Sequence, residues 1–141
     1  MTKISRSIET RVDPMTIWEL LDMRKWTAIS TIFEKVDLPS REMKVGEIAS
    51  ITAGAGEEKV RYLAEITALE QEQRLEYSRT GGPLPGKSQW QIVKNGAGSI
   101  VSFENTFHDP LPEPVKKSME ATMDKFLSDI KLAAENGTAT P

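Results

Sequence analysis

Between Phe33 and His108 the sequence repeats one arrangement six times: an extended run with apolar residues at alternate positions, then a connection too short to hold a helix. The runs are Phe33–Leu38, Glu47–Ala53, Glu58–Leu69, Gln73–Arg79, Ser88–Lys94 and Ser99–His108. A period of two puts successive side chains on opposite faces, so each run predicts a half-buried strand. The connections carry residues that tight reversals need: Lys44-Val45-Gly46, Ala53-Gly54-Ala55-Gly56, Asn95-Gly96-Ala97-Gly98 and the short polar link Leu69–Gln73. Parallel neighbours would require crossovers of about a dozen residues or more, for which there is no room. The chain is constrained to an antiparallel meander.

The flanks complete an α+β pattern. In Lys3–Val12, Ile4, Ile8 and Val12 share a face with Arg6 and Thr10, while Ser5, Ser7, Glu9 and Arg11 share the other, which predicts a first strand. Asp13 can accept from free N–H groups at a helix start, and Pro14 suits the first helical position, which needs no donor. Ile17, Trp18 and Leu21 give that helix an apolar stripe, and Asp22–Ser30 predicts a second short helix. After the prolines of His108–Val115, a long amphipathic helix is expected from Glu113 or Pro114. Val115, Met119, Met123, Phe126, Leu127, Ile130 and Ala134 recur at three- and four-residue steps, and Gly137 is a natural stop. A helix of about 20 residues spans roughly 30 Å, enough to cross a sheet. Residues 1–136 are expected to form one domain, with 137–141 a disordered tail.

Composition narrows the function. The 141 residues carry a net charge of −3, which disfavours a nucleic-acid partner, whose phosphates call for a basic face. There is no cysteine and one histidine, His108, so a thiolate or histidine-rich metal site is not expected, and no cofactor is predicted. The charged N-terminal segment has no apolar core of the secretory kind, and no apolar run approaches the ~20 residues of a membrane span. A cytoplasmic protein without stable membrane insertion is expected, as monomer or homodimer.

One motif argues otherwise. Gly81–Ser88 matches G-x-x-x-x-G-K-[ST], the loop that cradles phosphate in nucleotide hydrolases. That loop needs a following helix and backbone donors aimed at the anion. Here Pro83 and Pro85 remove two donors, and Ser88 onward alternates toward an Asn-Gly turn. The segment reads as a connection between strands.

At residue level, Ser5–Ile29 resembles the N-terminal signature of the Bet v 1-like, START-related (SRPBCC) superfamily, through Ile8, Asp13-Pro14, Trp18, Leu21-Asp22 and Trp26. Gly46 before the third strand, the Ile66–Ser78 hairpin and the terminal amphipathic helix extend the likeness to about residue 135. It is most similar to members described as polyketide cyclase/dehydratase-like or lipid-transport-like. The resemblance implies a helix-grip fold: a curved, seven-stranded antiparallel sheet around the long helix, with two short helices after the first strand and a cavity between sheet and helix. It also makes Thr80–Lys87, with Gly82, Pro83, Leu84 and Pro85, a loop at the cavity mouth, and Ala53–Gly56 another.

Alternation then assigns the inward faces. They are Val60, Tyr62, Ala64 and Ile66 on one strand, Leu75, Tyr77 and Arg79 on the next, and Ser88, Trp90 and Ile92 after it. On the last strand they are Val101, Phe103, Asn105 and Phe107, and Met119, Met123 and Phe126 would close the space from the helix. Most of these apolar residues suit an ordinary core. Tyr62, Tyr77, Arg79 and Asn105 are costly in a dry interior and could orient an oxygenated, mostly apolar ligand. Arg6, inward on the edge strand, is expected to reach water, and His108 falls on the outer face. The first functional expectation is a carrier or sensor of a lipid, isoprenoid or aromatic metabolite. The second is a cyclase/dehydratase-type enzyme, with Arg79 stabilising an enolate and Tyr62 or Tyr77 donating a proton. A protein-binding module is a third, without specific support from the mixed surface.

Overall fold

A computed structural model describes residues 2–54 and 59–136. The expected tail and the Ala55–Glu58 part of one predicted loop and strand lie outside the described residues. The first strand, β1 (Thr2–Thr10), leads to Asp13, whose carboxylate accepts from the Thr16 amide and starts α1 (Pro14–Leu20). Asp22 likewise accepts from the Arg24 amide, opening a 3-10 turn (Met23–Lys25) that runs into α2 (Trp26–Ile29). The meander follows as β2 (Phe33–Asp37), β3 (Ile48–Ala53), β4 (Val60–Glu70), β5 (Arg74–Thr80), β6 (Gly86–Asn95) and β7 (Gly98–Phe107). The last element is α3 (Glu113–Asn136), a little longer than predicted.

All seven strands join one antiparallel sheet in the order β1-β7-β6-β5-β4-β3-β2. The meander supplies six neighbours in sequence order, and β1 adds to β7, so the chain's first strand closes the edge beside its last. The β6–β7 hairpin turns on Gly96-Ala97 with Asn95 paired to Gly98, and Gly96 holds φ at +60°, where a side chain would be strained. The Gly81–Ser88 motif ends in strand: β6 already runs from Gly86, so no helix follows this loop. Among the described residues, no helix is long and apolar enough to cross a membrane.

The sheet curls over α3, whose Met123, Phe126, Leu127, Ile130, Ala133 and Ala134 are buried against it. At the centre stands Trp26, fully buried, with ring centres 5.0 Å from Phe33 and 5.2 Å from Phe126. Its indole Nε1 donates to the Leu20 carbonyl at 3.2 Å, satisfying a free carbonyl near the end of α1. Trp90 stacks on Phe103 at 3.8 Å and meets Phe126 edge-on at 5.4 Å. Edge-to-face and stacked pairs of this kind each add roughly 0.5–1.5 kcal/mol beyond the area they bury.

α3 lies chiefly along β1, and charged pairs bridge the two. Arg6 reaches water at the sheet edge, as expected, and pairs there with α3. Its Nε and Nη2 donate to the two oxygens of Asp124 at 2.8 and 2.6 Å, with Glu120 at 3.9 Å. Nearer the C-terminal end of the helix, Glu135 accepts from the Arg11 amide at 2.9 Å. The Arg6 hydrogen bonds and charge hold the Asp124 carboxyl below its ordinary range.

Two expectations follow from this packing. Trp26→Ala removes the hub of the aromatic cluster and should destabilise the fold by about 3–5 kcal/mol in urea unfolding; a loss below about 1 kcal/mol would remove Trp26 from that role. A carboxyl with a depressed folded-state pKa contributes stability above its unfolded value and loses it as pH falls through the folded one. Asp124→Asn should therefore flatten the decline of stability between about pH 4 and pH 2, measured by thermal melts at stepped pH. An unchanged slope would count against the Arg6 pairing.

Candidate functional site

Strand register arranges the inward residues in rows across the sheet. Leu75, Trp90, Phe103 and Arg6 form one row. Tyr77, Ser88, Asn105 and Ile4 form the next, and Arg79, Gly86, Phe107 and Thr2 the one beyond. The first row is filled by the Trp90–Phe103 stack. Past it the helix and sheet diverge, and a cavity of about 620 Å³ lies between them, within the range of small-molecule pockets.

Eight of the predicted ligand residues line this space: Tyr62, Tyr77, Arg79, Phe103, Asn105, Met119, Met123 and Phe126. Gly82, Pro83, Leu84 and Pro85 form one side of its mouth, with Ala53 and Gly54 from the β3 end also on the wall. Ile66, Trp90, Ile92 and Phe107 are inward and buried as alternation requires, but they are not part of the wall. Trp90 and Ile92 lie deeper, in or behind the aromatic stack, and Phe107 is covered by Arg79. Val60, Thr80 and Ser88 also line it, and Ile32 and Phe33 from the α2–β2 segment with Pro114, Val115, Ser118 and Thr122 from the first turns of α3 complete the wall; these last six were not predicted as ligand contacts. His108 is exposed just past β7, where its amide donates to the Pro85 carbonyl, and it is not part of the wall.

The polar residues share partners across the rows. Ser88 Oγ donates to Asn105 Oδ1 at 2.5 Å, which leaves the Asn105 amide hydrogens for the cavity. Trp90 Nε1 donates to the Tyr77 hydroxyl at 3.4 Å. Burial raises the pKa of both Tyr62 and Tyr77 above the ordinary tyrosine value, so both stay neutral at physiological pH and can only donate a proton or share a hydrogen bond.

Arg79 is 8% exposed, and the missing side chain of Gly86 gives it room. Its guanidinium reaches over Gly86 to lie 4.6 Å from the centre of the Phe107 ring. Nη1 donates to the Leu84 carbonyl at 2.7 Å and Nη2 to the Thr106 carbonyl at 2.5 Å, with Lys87 O at 3.5 Å. The side chain thereby ties the mouth loop to β7. Burial lowers its pKa, opposed by the neighbouring tyrosines, yet a guanidinium stays charged at neutral pH. Gly82 serves the same loop: a Cβ there would come within 2.8 Å of the Tyr62 Cβ, so only glycine lets the loop close against β4.

No protein-family model matches the chain, and no curated protein does. Solved structures do. A protein of Thermus thermophilus superposes with a TM-score of 0.82 at 18% identity, covering 96% of this chain and 99% of its own. A START superfamily protein from Mycobacterium smegmatis gives 0.80 at 12% identity, over 95% and 97% of the two chains. Major latex-like protein 151 of Panax ginseng gives 0.78 at 14% identity, over 94% and 97%. The chain thus has the helix-grip fold of Bet v 1-like and START-related proteins, as its sequence implies.

The crossing at Gly86 is testable. An added Cβ would fall 1.8 Å from the Thr106 carbonyl oxygen and 2.7 Å from Arg79 Nη2. Gly86→Ala should cost on the order of 2 kcal/mol, read from the urea midpoint at constant m. An unshifted midpoint would refute the close approach.

Proposed function

We propose that this chain binds a hydrophobic or aromatic small molecule, of lipid, isoprenoid or polyketide-like character, in the cavity between its sheet and α3, as a carrier or sensor. The observation that carries this reading is the 620 Å³ space itself, walled mainly by apolar side chains with a few convergent polar groups. A folded core normally fills such a volume, because unfilled space forfeits dispersion contacts. Transfer of an apolar ligand from water gains about 0.8 kcal/mol per buried CH₂, which favours occupation. Met119 and Met123 suit a ligand of variable shape, since the thioether side chain adapts its rotamers at low cost.

Carriage is favoured over catalysis by the kinds of group on the wall. Among the described lining residues there is no carboxylate and no histidine to take a proton at neutral pH. Tyr62 and Tyr77 are held neutral, and Arg79 is a fixed cation. The wall can orient and polarise a bound molecule, as the cyclase/dehydratase alternative requires, but its described residues include no general base for proton abstraction.

The test uses a neutral probe and a cavity-filling variant. N-phenyl-1-naphthylamine should bind the wild-type chain saturably with a rise in fluorescence. Met119→Trp, which places an indole in the space, should weaken that binding at least about tenfold, equivalent to ~1.4 kcal/mol, while the melting temperature is retained. Equal affinity in the two proteins, or no binding to the wild type, would defeat the proposal.

A further inference from the structure

Arg79 is the only charged side chain among the described residues that line the cavity. Four of the other arginines pair with carboxylates, Arg6 with Asp124, Arg11 with Glu135, Arg24 with Asp22 and Arg74 with Glu70, all at least partly in water, and Arg41 and Arg61 are exposed. Arg79 is far more buried and, among the described residues, has no carboxylate within ion-pairing distance. Its hydrogen-bond partners are neutral backbone carbonyls, it lies over the face of Phe107, and its Nε has no partner. Carbonyls and a ring face solvate a cation without cancelling its charge. A buried charge left uncompensated is unfavourable, and low-dielectric surroundings extend its pull on an anion in the adjoining space.

We infer that the occupant of this cavity is an amphipathic carboxylic acid, whose carboxylate lies at the Arg79 side of the mouth and whose apolar body runs inward to Phe103, Met123 and Phe126. This rests on the ligand-binding reading above and adds the chemistry of the headgroup. The argument for a carboxylate is the charge count. One fixed cation balances one negative charge, whereas a phosphate monoester carries roughly 1.5 to 2 at neutral pH and would call for a second basic group. The remaining donors fit the same headgroup. Asn105 keeps its amide hydrogens, because its carbonyl oxygen is taken by Ser88. Tyr62, neutral and on the same wall, can donate its hydroxyl hydrogen to a carboxylate oxygen. The apolar end meets an aromatic and thioether surface that offers no hydrogen bond, so the ligand is oriented by its two ends.

The experiment is isothermal titration at pH 7.5 and low salt with decanoic acid, 1-decanol and monodecyl phosphate, and with the aromatic pair 2-naphthylacetic acid and 2-(2-naphthyl)ethanol. It is run on the wild type, Arg79→Gln and Arg79→Lys, alongside N-phenyl-1-naphthylamine. The wild type should bind at least one acid about tenfold or more tightly than its alcohol. That preference should vanish in Arg79→Gln and survive in Arg79→Lys, which keeps the charge and covers the case in which the glutamine variant does not fold. Acids and alcohols binding equally, or a preference that persists in Arg79→Gln, would overturn the inference while leaving the cavity reading intact. Monodecyl phosphate binding as tightly as decanoic acid would overturn the carboxylate assignment. Failure of every compound, the neutral fluorescent probe included, would overturn both readings.

Discussion

Phe126 meets Trp26, Phe33 and Trp90 at 4.7 to 5.4 Å, and this contact sets where the long helix can sit on the sheet. Toward the C-terminal end of α3, Ile130, Ala133 and Ala134 are buried, and the two alanines let the helix approach closely. Toward the N-terminal end the side chains change character: Met119 is half-buried, and Ser118 and Pro114 are exposed. The aromatic cluster is the fulcrum between these ends. One side of it is core and the other is cavity, so the space is a consequence of side-chain size along one helix rather than of a gap in the sheet. The Arg6–Asp124 pair then links the helix to the β1 edge.

The wall of that space has a polarity gradient set by strand register. On the central strands, the groups pass from the Trp90–Phe103 stack, to the Tyr77 hydroxyl and Asn105 amide, to the Arg79 guanidinium lying over Phe107. Register enforces this order because a slip of one residue would send all of these groups to the outer face. Gly86 is part of the same order. Its row needs open room between β5 and β7 for the guanidinium to cross, and an added methyl group would meet backbone as well as Arg79.

How much of this could be read from the sequence depended on range. Inward and outward faces of Tyr62, Tyr77, Trp90 and Asn105 follow from a local period of two, and the structure has them so. Depth along the strands does not follow. Trp90, Ile92, Phe107 and Ile66 share parity with the wall residues, and only the placement of the helix above them decides which face the cavity. The same limit explains Arg6. Its strand gives it a concave orientation at an edge, but its partner Asp124 is on an element 118 residues later. Ser118 and Thr122 were missed because small polar residues in a helical pattern signal solvent; Val115 was placed on the apolar face of the helix but not assigned to the cavity. The Gly81–Ser88 pattern could be discounted from sequence, since Pro83, Pro85 and the alternation after Ser88 were in view; that Gly86 serves an arginine was not.

Arg79 and Gly86 together show a site arranged against the stability of the empty protein. A methionine or leucine in place of Arg79 would fill space without a charge to solvate, and buried charges are commonly replaceable by apolar groups without loss of stability. The guanidinium is held by the Leu84 and Thr106 carbonyls and the Phe107 ring, so it is also pre-organised: little side-chain freedom remains to be lost when a ligand arrives. Because Leu84 belongs to the mouth loop, whatever binds near Arg79 also bears on the bond that holds the loop to β7. Arg79 thereby belongs at once to the cavity wall, to the mouth loop through Leu84 and to β7 through Thr106.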